Sequence, residues 1–156
     1  MLGTVTKCAA EHGGCGYTQP KINKGSLKID IEFKDENFDK TKDRKCILWP
    51  EECLKVLQKV SNDDCKLMGL NPEFCRPEWT IIKNFAVAPP PVRPSVSLGG
   101  NMRSEDDLTY AYQQVLKINN ILKEQVDKGA NMTIINELKT SLQYHVSTVM
   151  DNKIAG

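Results

Sequence analysis

The stretch from Arg76 to Ser95 constrains this chain more than any other. It opens Arg76-Pro77-Glu78-Trp79, continues through Phe85-Ala86-Val87, and ends Pro89-Pro90-Pro91-Val92-Arg93-Pro94-Ser95, with five prolines in all. Each proline fixes φ and removes a backbone donor, and the residue before each is pushed to an extended conformation. The stretch is therefore expected to leave Val87 as a stiff polyproline-type rod, neither helix nor central strand. By composition alone such a rod is a spacer or a ligand for a proline-binding domain.

On either side of it, hydrophobic periodicity marks out the elements. Leu27, Ile29, Ile31 and Phe33 alternate with polar residues, the pattern of a half-buried strand. Lys34 to Lys45 mixes charges of both signs and reads as a solvated hairpin loop rather than a DNA-facing one. Cys46-Ile47-Leu48-Trp49 suits the returning strand. Pro50 opens a helical pattern through Cys53, Leu54, Val56, Leu57 and Val60, at the position where its missing donor costs nothing. Asn62 or Asp63 is expected to cap a second short helix that stops at Gly69, the two helices packing on the sheet. Trp79 to Val87 is β-favouring and is expected to form a strand, with Trp79 filling core.

The last third carries the longest patterns. Ser104 and Asp107 fit a capping box, and Leu108, Ala111, Val115, Ile118 and Leu122 form one apolar stripe. Lys128-Gly129 ends that helix. A second begins near Asn131 with Ile135, Leu138, Leu142, Val146 and Val149 on one face. A short connection between two such helices predicts an antiparallel hairpin. The expected fold is α+β: a small antiparallel sheet with short helices and a C-terminal antiparallel helical hairpin. Its expected divisions are an irregular zinc-site remnant over 1–20, an α+β segment over 21–104 with the rod at 88–95, the helical hairpin over 105–150, and a truncated connection over 151–156.

The composition excludes several function classes. The chain has 156 residues, 21 basic and 20 acidic side chains, and a formal charge of +1. So balanced a charge gives no global attraction to nucleic acid, and any such contact must come from a local patch. No apolar run approaches the roughly 20 residues needed to cross a bilayer, and Met1 to Thr6 lacks the features of a signal peptide; the expected setting is intracellular, with no membrane partner. The histidines are His12 and His145, and neither falls in a nucleophile-activating spacing. The acid pairs Glu51-Glu52, Asp63-Asp64 and Asp106-Asp107 each stand at a helix start, where capping explains them. No catalytic residue is expected.

Four anchors carry a family resemblance, in order along the chain. They are His12-Gly13-Gly14-Cys15-Gly16 with Thr18-Gln19-Pro20; Arg76-Pro77-Glu78-Trp79 leading to Pro89-Pro90-Pro91-Val92-Arg93-Pro94-Ser95; Glu105-Asp106-Asp107-Leu108-Thr109; and Leu142-Gln143-Tyr144-His145-Val146 with Met150-Asp151-Asn152. Together they resemble the largest subunit of multisubunit DNA-directed RNA polymerase, in particular its clamp region in eukaryotic polymerase II. Ala86 and Ala88 depart from the resemblance, standing where the family tends to have proline, and Tyr110-Ala111-Tyr112 is unusual for the helix start.

The resemblance implies a non-catalytic piece of a nucleotidyltransferase. The clamp encloses template DNA and the RNA–DNA hybrid, while catalytic Mg²⁺ is held by a downstream NADFDGD motif that this sequence lacks. The family clamp also holds a structural zinc. The resemblance places Cys15 at its last ligand and allows Cys8 as the third, a partial zinc site with the other ligands outside this sequence, so the parent protein is expected to hold the zinc and this piece alone not to. Arg76, Arg93 and Arg103 are the nucleic-acid-contact candidates, each weighed against a structural role such as satisfying backbone carbonyls near the prolines. Implied partners are the second-largest and other polymerase subunits and transcription factors docking on the clamp; the implied location is the nucleus. The C-terminal residues resemble mid-protein sequence. Two alternatives stand beside this reading: a free-standing α+β interaction module whose proline segment is a ligand, and the clamp of an archaeal or polymerase I or III largest subunit. The polymerase reading expects the rod to be packed and unavailable.

Overall fold

The computed structural model describes residues 7–33, 44–100, 102–151 and 153–154. The charged loop expected from Lys34 lies, through residue 43, outside the described residues, as does Asn152. The chain forms two compact units, Met1–Lys83 and Asn84–Gly156.

The first unit holds a three-stranded antiparallel sheet in the order β1 (Lys21–Lys24), β2 (Ile29–Glu32) and β3 (Lys45–Ile47). Ile22 faces Ile31 across the first pair and Ile31 faces Cys46 across the second. The expected strand over 27–33 and its returning partner are therefore present, and β1 is an addition that lysine-rich composition concealed. Gly25 N–H donates to Lys28 O at 2.8 Å and closes the β1–β2 turn.

Helix α1 (Pro50–Leu57) has Pro50 at its first position. The Trp49 N–H donates to Glu52 Oε2 at 3.3 Å, so an acid of the first turn reaches back to a free donor. Helix α2 (Asn62–Leu67) is capped by Ser61, whose Oγ accepts from Asp64 N–H at 3.1 Å. The cap thus lies one residue before the expected Asn62, because a serine in extended conformation (ψ 161°) outcompetes residues already inside the helix. Gly69 ends α2 with φ +79°, a conformation that disfavours any side chain. Cys65 on α2 is fully buried.

The expected strand over Trp79–Val87 does not form. Pro77–Thr80 is a 3₁₀ turn packed against α1, and the residues after it are irregular. A β-favouring run without a pairing partner leaves its backbone groups unmet in a strand, whereas Pro77 suits the first position of a turn. Trp79 is 57% exposed and does not fill core; the side chains of Arg76 and Glu78, just before it in the chain, are largely buried instead.

In the second unit the rod is shorter than expected. Pro89 is extended (φ −65°, ψ 156°), but Pro90–Val92 is a 3₁₀ turn in which Val92 N–H donates to Pro89 O at 3.0 Å. Prolines at the first positions of a turn forfeit only donors that have no partner there. Pro89, Pro90, Pro91 and Pro94 are exposed, so within this chain the expected packing of the rod is not met; Ala88 and Arg93 are the half-buried residues. Beyond it β4 (Val96–Ser97) pairs antiparallel with β5 (Arg103–Ser104), joined through Gly99 and Gly100 at positive φ.

Helix α3 (Asp107–Asp127) and helix α4 (Met132–Met150) form the helical hairpin. The α3 cap is Asp106, whose Oδ1 accepts from Leu108 N–H at 2.9 Å, rather than Ser104, which belongs to β5. Asn131 caps α4 through Thr133 N–H at 3.2 Å. Leu108, Ala111, Val115, Ile118 and Leu122 are all half-buried, and Ile135 on α4 is buried at 9% exposure. Tyr110, Leu116 and Val126 on α3 and Met132, Ile134 and Met150 on α4 are exposed, but none follows another at a step of three or four, so they form no continuous helical stripe.

Candidate functional site

Two thiols meet in a tight loop at the start of the described chain. An antiparallel bridge between Lys7 and Thr18 closes the loop, and Cys8 N–H donates to Tyr17 O at 2.9 Å. Inside it a 3₁₀ turn, Ala10–His12, ends at Gly13 with φ +79°. Gly14 N–H then donates to Ala9 O at 3.1 Å. A Cβ on Gly14 would lie 2.5 Å from both Ala9 O and Cys8 Sγ, so only glycine lets the chain pass this close to the thiol. The result brings Cys15 to Cys8. The Tyr17 backbone amide, and then the Cys8 thiol, hydrogen-bond to the Cys15 sulfur and hold its pKa below the ordinary thiol value. Hydrogen bonds to sulfur favour the thiolate, which is the metal-binding form.

This donor set fits half of a structural zinc site. Such a site takes four ligands in a closed tetrahedron. Among the described residues no group of three or more His, Cys, Asp or Glu side chains converges. The remaining cysteines are free and scattered: Cys46 and Cys75 are exposed, and Cys53 lies on α1 with its thiol pushed up by partial burial and by Glu52. The His12 side chain lies outside the described atoms.

The three candidate arginines are placed differently. Arg76 sits just before the 3₁₀ turn of the first unit. Its Nε donates to Glu78 Oε1 at 2.6 Å, Nη2 donates to Val60 O at 2.9 Å, and Nη1 bonds Asn62 Oδ1. One guanidinium thereby ties the turn to the corner between α1 and α2 through its fixed fork of donors. The hydrogen bond from Arg76 holds the Glu78 carboxyl below the usual carboxylate range, while the other carboxylate oxygen, Oε2, is buried with no hydrogen-bond partner.

Arg93 is engaged in the second unit. Its Nε donates to Ala88 O at 2.8 Å and its Nη1 to Thr109 Oγ1 at 3.1 Å. The guanidinium carbon lies 5.7 Å from the centroid of the Tyr112 ring, within cation–π range. Arg103, on β5, is exposed, and among the described residues its side chain makes no hydrogen bond or ion pair. The fold therefore gives Arg76 and Arg93 the carbonyl-satisfying role weighed for them and leaves the Arg103 guanidinium open. Sequence reasoning missed Glu78, Thr109 and Tyr112 as their partners. The signal available for Tyr112 was its oddity at a helix start, and Thr109 lies one turn before it on the same face.

Comparison with known proteins places these features in a family. The family model for RNA polymerase Rpb1, domain 1, matches residues 2–156. The chain is 49% identical over 144 residues to DNA-directed RNA polymerase II subunit RPB1 of Euplotoides octocarinatus, covering 92% of this chain and 30% of that protein. It is 41% identical over 140 residues to DNA-directed RNA polymerase subunit Rpo1N of Methanocaldococcus jannaschii, covering 85% of this chain and 10% of that protein. The chain thus spans less than a third of the length of either relative. With the match running over nearly every residue from the thiol loop to the end of α4, the chain belongs to the RNA polymerase Rpb1 domain 1 family.

Proposed function

We propose that this chain is a segment of the largest subunit of a DNA-directed RNA polymerase and serves DNA-templated RNA synthesis as part of the clamp. The observation that carries this reading is the family match over residues 2–156. Higher identity to the polymerase II relative than to the archaeal one, 49% against 41%, favours polymerase II and with it a nuclear location. Nucleotidyl transfer belongs to the assembled enzyme, whose Mg²⁺ is held by carboxylates elsewhere in the subunit; clustered carboxylates around two ions are the chemical requirement.

In this reading the segment encloses template DNA and the RNA–DNA hybrid. A closed arm opposes dissociation, and contacts to phosphate allow sliding because they carry no base information. Of the three candidate arginines, Arg103 is the one whose guanidinium is exposed and open for such a contact. Arg76 and Arg93 support the arm from within. Cys8 and Cys15 supply two thiolates to a structural zinc completed by ligands elsewhere in the parent chain, and that ion would fix the loop at the segment's start. The remaining partners are the second-largest and other polymerase subunits, and transcription factors that dock on the clamp.

The test is to tag the full-length parent protein in its cell of origin and purify it. The expected result is co-purification with a second large subunit and DNA-template-dependent RNA synthesis. A protein that purifies without that subunit and incorporates no nucleotides would overturn the reading. Capture of a proline-binding domain through residues 89–94 would favour the interaction-module alternative instead.

A further inference from the structure

Ala88 has both of its backbone groups held by side chains. Its N–H donates to Tyr112 Oη at 3.2 Å, and its carbonyl accepts from Arg93 Nε at 2.8 Å. The same two side chains meet each other, with Arg93 over the Tyr112 ring, and Arg93 continues to Thr109 Oγ1. Phe85 closes the group edge-on to Tyr112, with ring centroids 6.0 Å apart and planes at 68°. Thr109 and Tyr112 lie three residues apart on α3 and so share a face. Ala88, Arg93, Thr109, Tyr112 and Phe85 are all half-buried.

We propose that Tyr112 and Arg93 form a latch on Ala88 that fixes the β4–β5 hairpin to α3. The hairpin has two feet. One is β5, which ends at Ser104, two residues before the Asp106 cap of α3. The other is the residue run from Arg93 to Val96, and nothing covalent ties that foot to α3. The latch supplies the tie. The tie requires an N–H at position 88 and a hydroxyl at position 112. A proline at 88 stiffens the chain through its ring but has no N–H to offer. An alanine loses that stiffness and gains a donor, which Tyr112 Oη accepts. Neither residue accomplishes this alone: the hydroxyl without the N–H has no donor here, and the alanine without the hydroxyl leaves a half-buried N–H unmet.

The inference is independent of the nucleic-acid role and is tested without nucleic acid, by hydrogen exchange on the full-length parent protein. Tyr112→Phe removes one oxygen and keeps the ring. The expected result is exchange of the Ala88 amide accelerated about fivefold or more, faster exchange at Val96–Ser104, and unchanged α4. An unaltered Ala88 amide would overturn the latch. The second arm compares Tyr112→Phe in the wild-type and Ala88→Pro backgrounds, reading the β4–β5 amides. The expected result is that the Tyr112→Phe effect vanishes once proline removes the donor. An equal effect in both backgrounds would overturn the pairing of the two positions.

Discussion

Neighbouring isoleucines on α4 give a sharp test of what holds the helical hairpin together. Ile135 is 9% exposed and Ile134 is 47% exposed. Truncation to alanine changes the same atoms and the same helix propensity at both, so the difference isolates burial. At Ile135 the loss combines transfer and cavity terms, taken as about 3 kcal/mol for an isoleucine-to-alanine change. Alanine returns about 0.5 kcal/mol of helix propensity, leaving about 2.5 kcal/mol. At Ile134 roughly half the side chain is already in water, so about 1 kcal/mol of burial is at stake, and the same propensity gain leaves about 0.5 kcal/mol. The two variants should therefore differ by about 2 kcal/mol, or roughly thirtyfold in the opening equilibrium of the hairpin. Because the chain forms two units, a single global midpoint would mix their transitions. Hydrogen exchange at the α3 and α4 amides reads this unit directly. Equal loss of protection in Ile134→Ala and Ile135→Ala would refute the packing of α4 on α3 through its Ile135 face.

Other expected outcomes follow from the same geometry. Glu78 has a depressed pKa, so its pairing contributes stability above the ordinary glutamate range and loses it as pH falls through the lowered value. Replacing Arg76 with methionine should raise the Glu78 pKa, visible by NMR titration of its side chain, and an unmoved titration would exclude Arg76 as the cause. Gly14→Ala places a Cβ 2.5 Å from Ala9 O; it should cost about 1–3 kcal/mol locally and weaken zinc retention by the parent protein, measured by metal analysis after dialysis. Asp106→Ala should destabilise α3 by about 1 kcal/mol and Ser104→Ala by far less; the reverse order, read from first-turn amide exchange, would move the cap back to Ser104.

How much was legible in the sequence varied with the range of the interactions. The long helices were readable because Leu108, Val115 and Leu122, and Leu138 and Val146, repeat a buried stripe over many turns. The sheet was readable in β2 for the analogous reason at period two. Trp79 to Val87 misled because β-favouring residues describe a pleated surface, and only the fold decides whether a partner strand exists. Ser104 and Asp106 were competing caps, and the pairing of Ser104 with Val96 in β4–β5 settled the choice. The proline run showed that the chain must stiffen, but not that Pro90–Val92 would turn.

The candidate site was legible in its residue types more than in its partnerships. Cys8 and Cys15 lie seven positions apart, and their meeting depends on Gly14 allowing the backbone against the Cys8 sulfur. The choice among three arginines depended on contacts spanning 14 to 16 residues, from Arg76 to Asn62 and Val60 and from Arg93 to Thr109. Such contacts have no local signature. Arg103 lies in a strand too short for any periodicity to mark it.

Enclosure of nucleic acid by this segment is tested by site-specific photocrosslinking from position 103 of the full-length protein within a transcribing polymerase complex. The expected product is a crosslink to DNA or to the RNA–DNA hybrid that appears only when a template is engaged. Crosslinks to protein alone, with template engaged and RNA being made, would contradict a nucleic-acid-enclosing role for this segment.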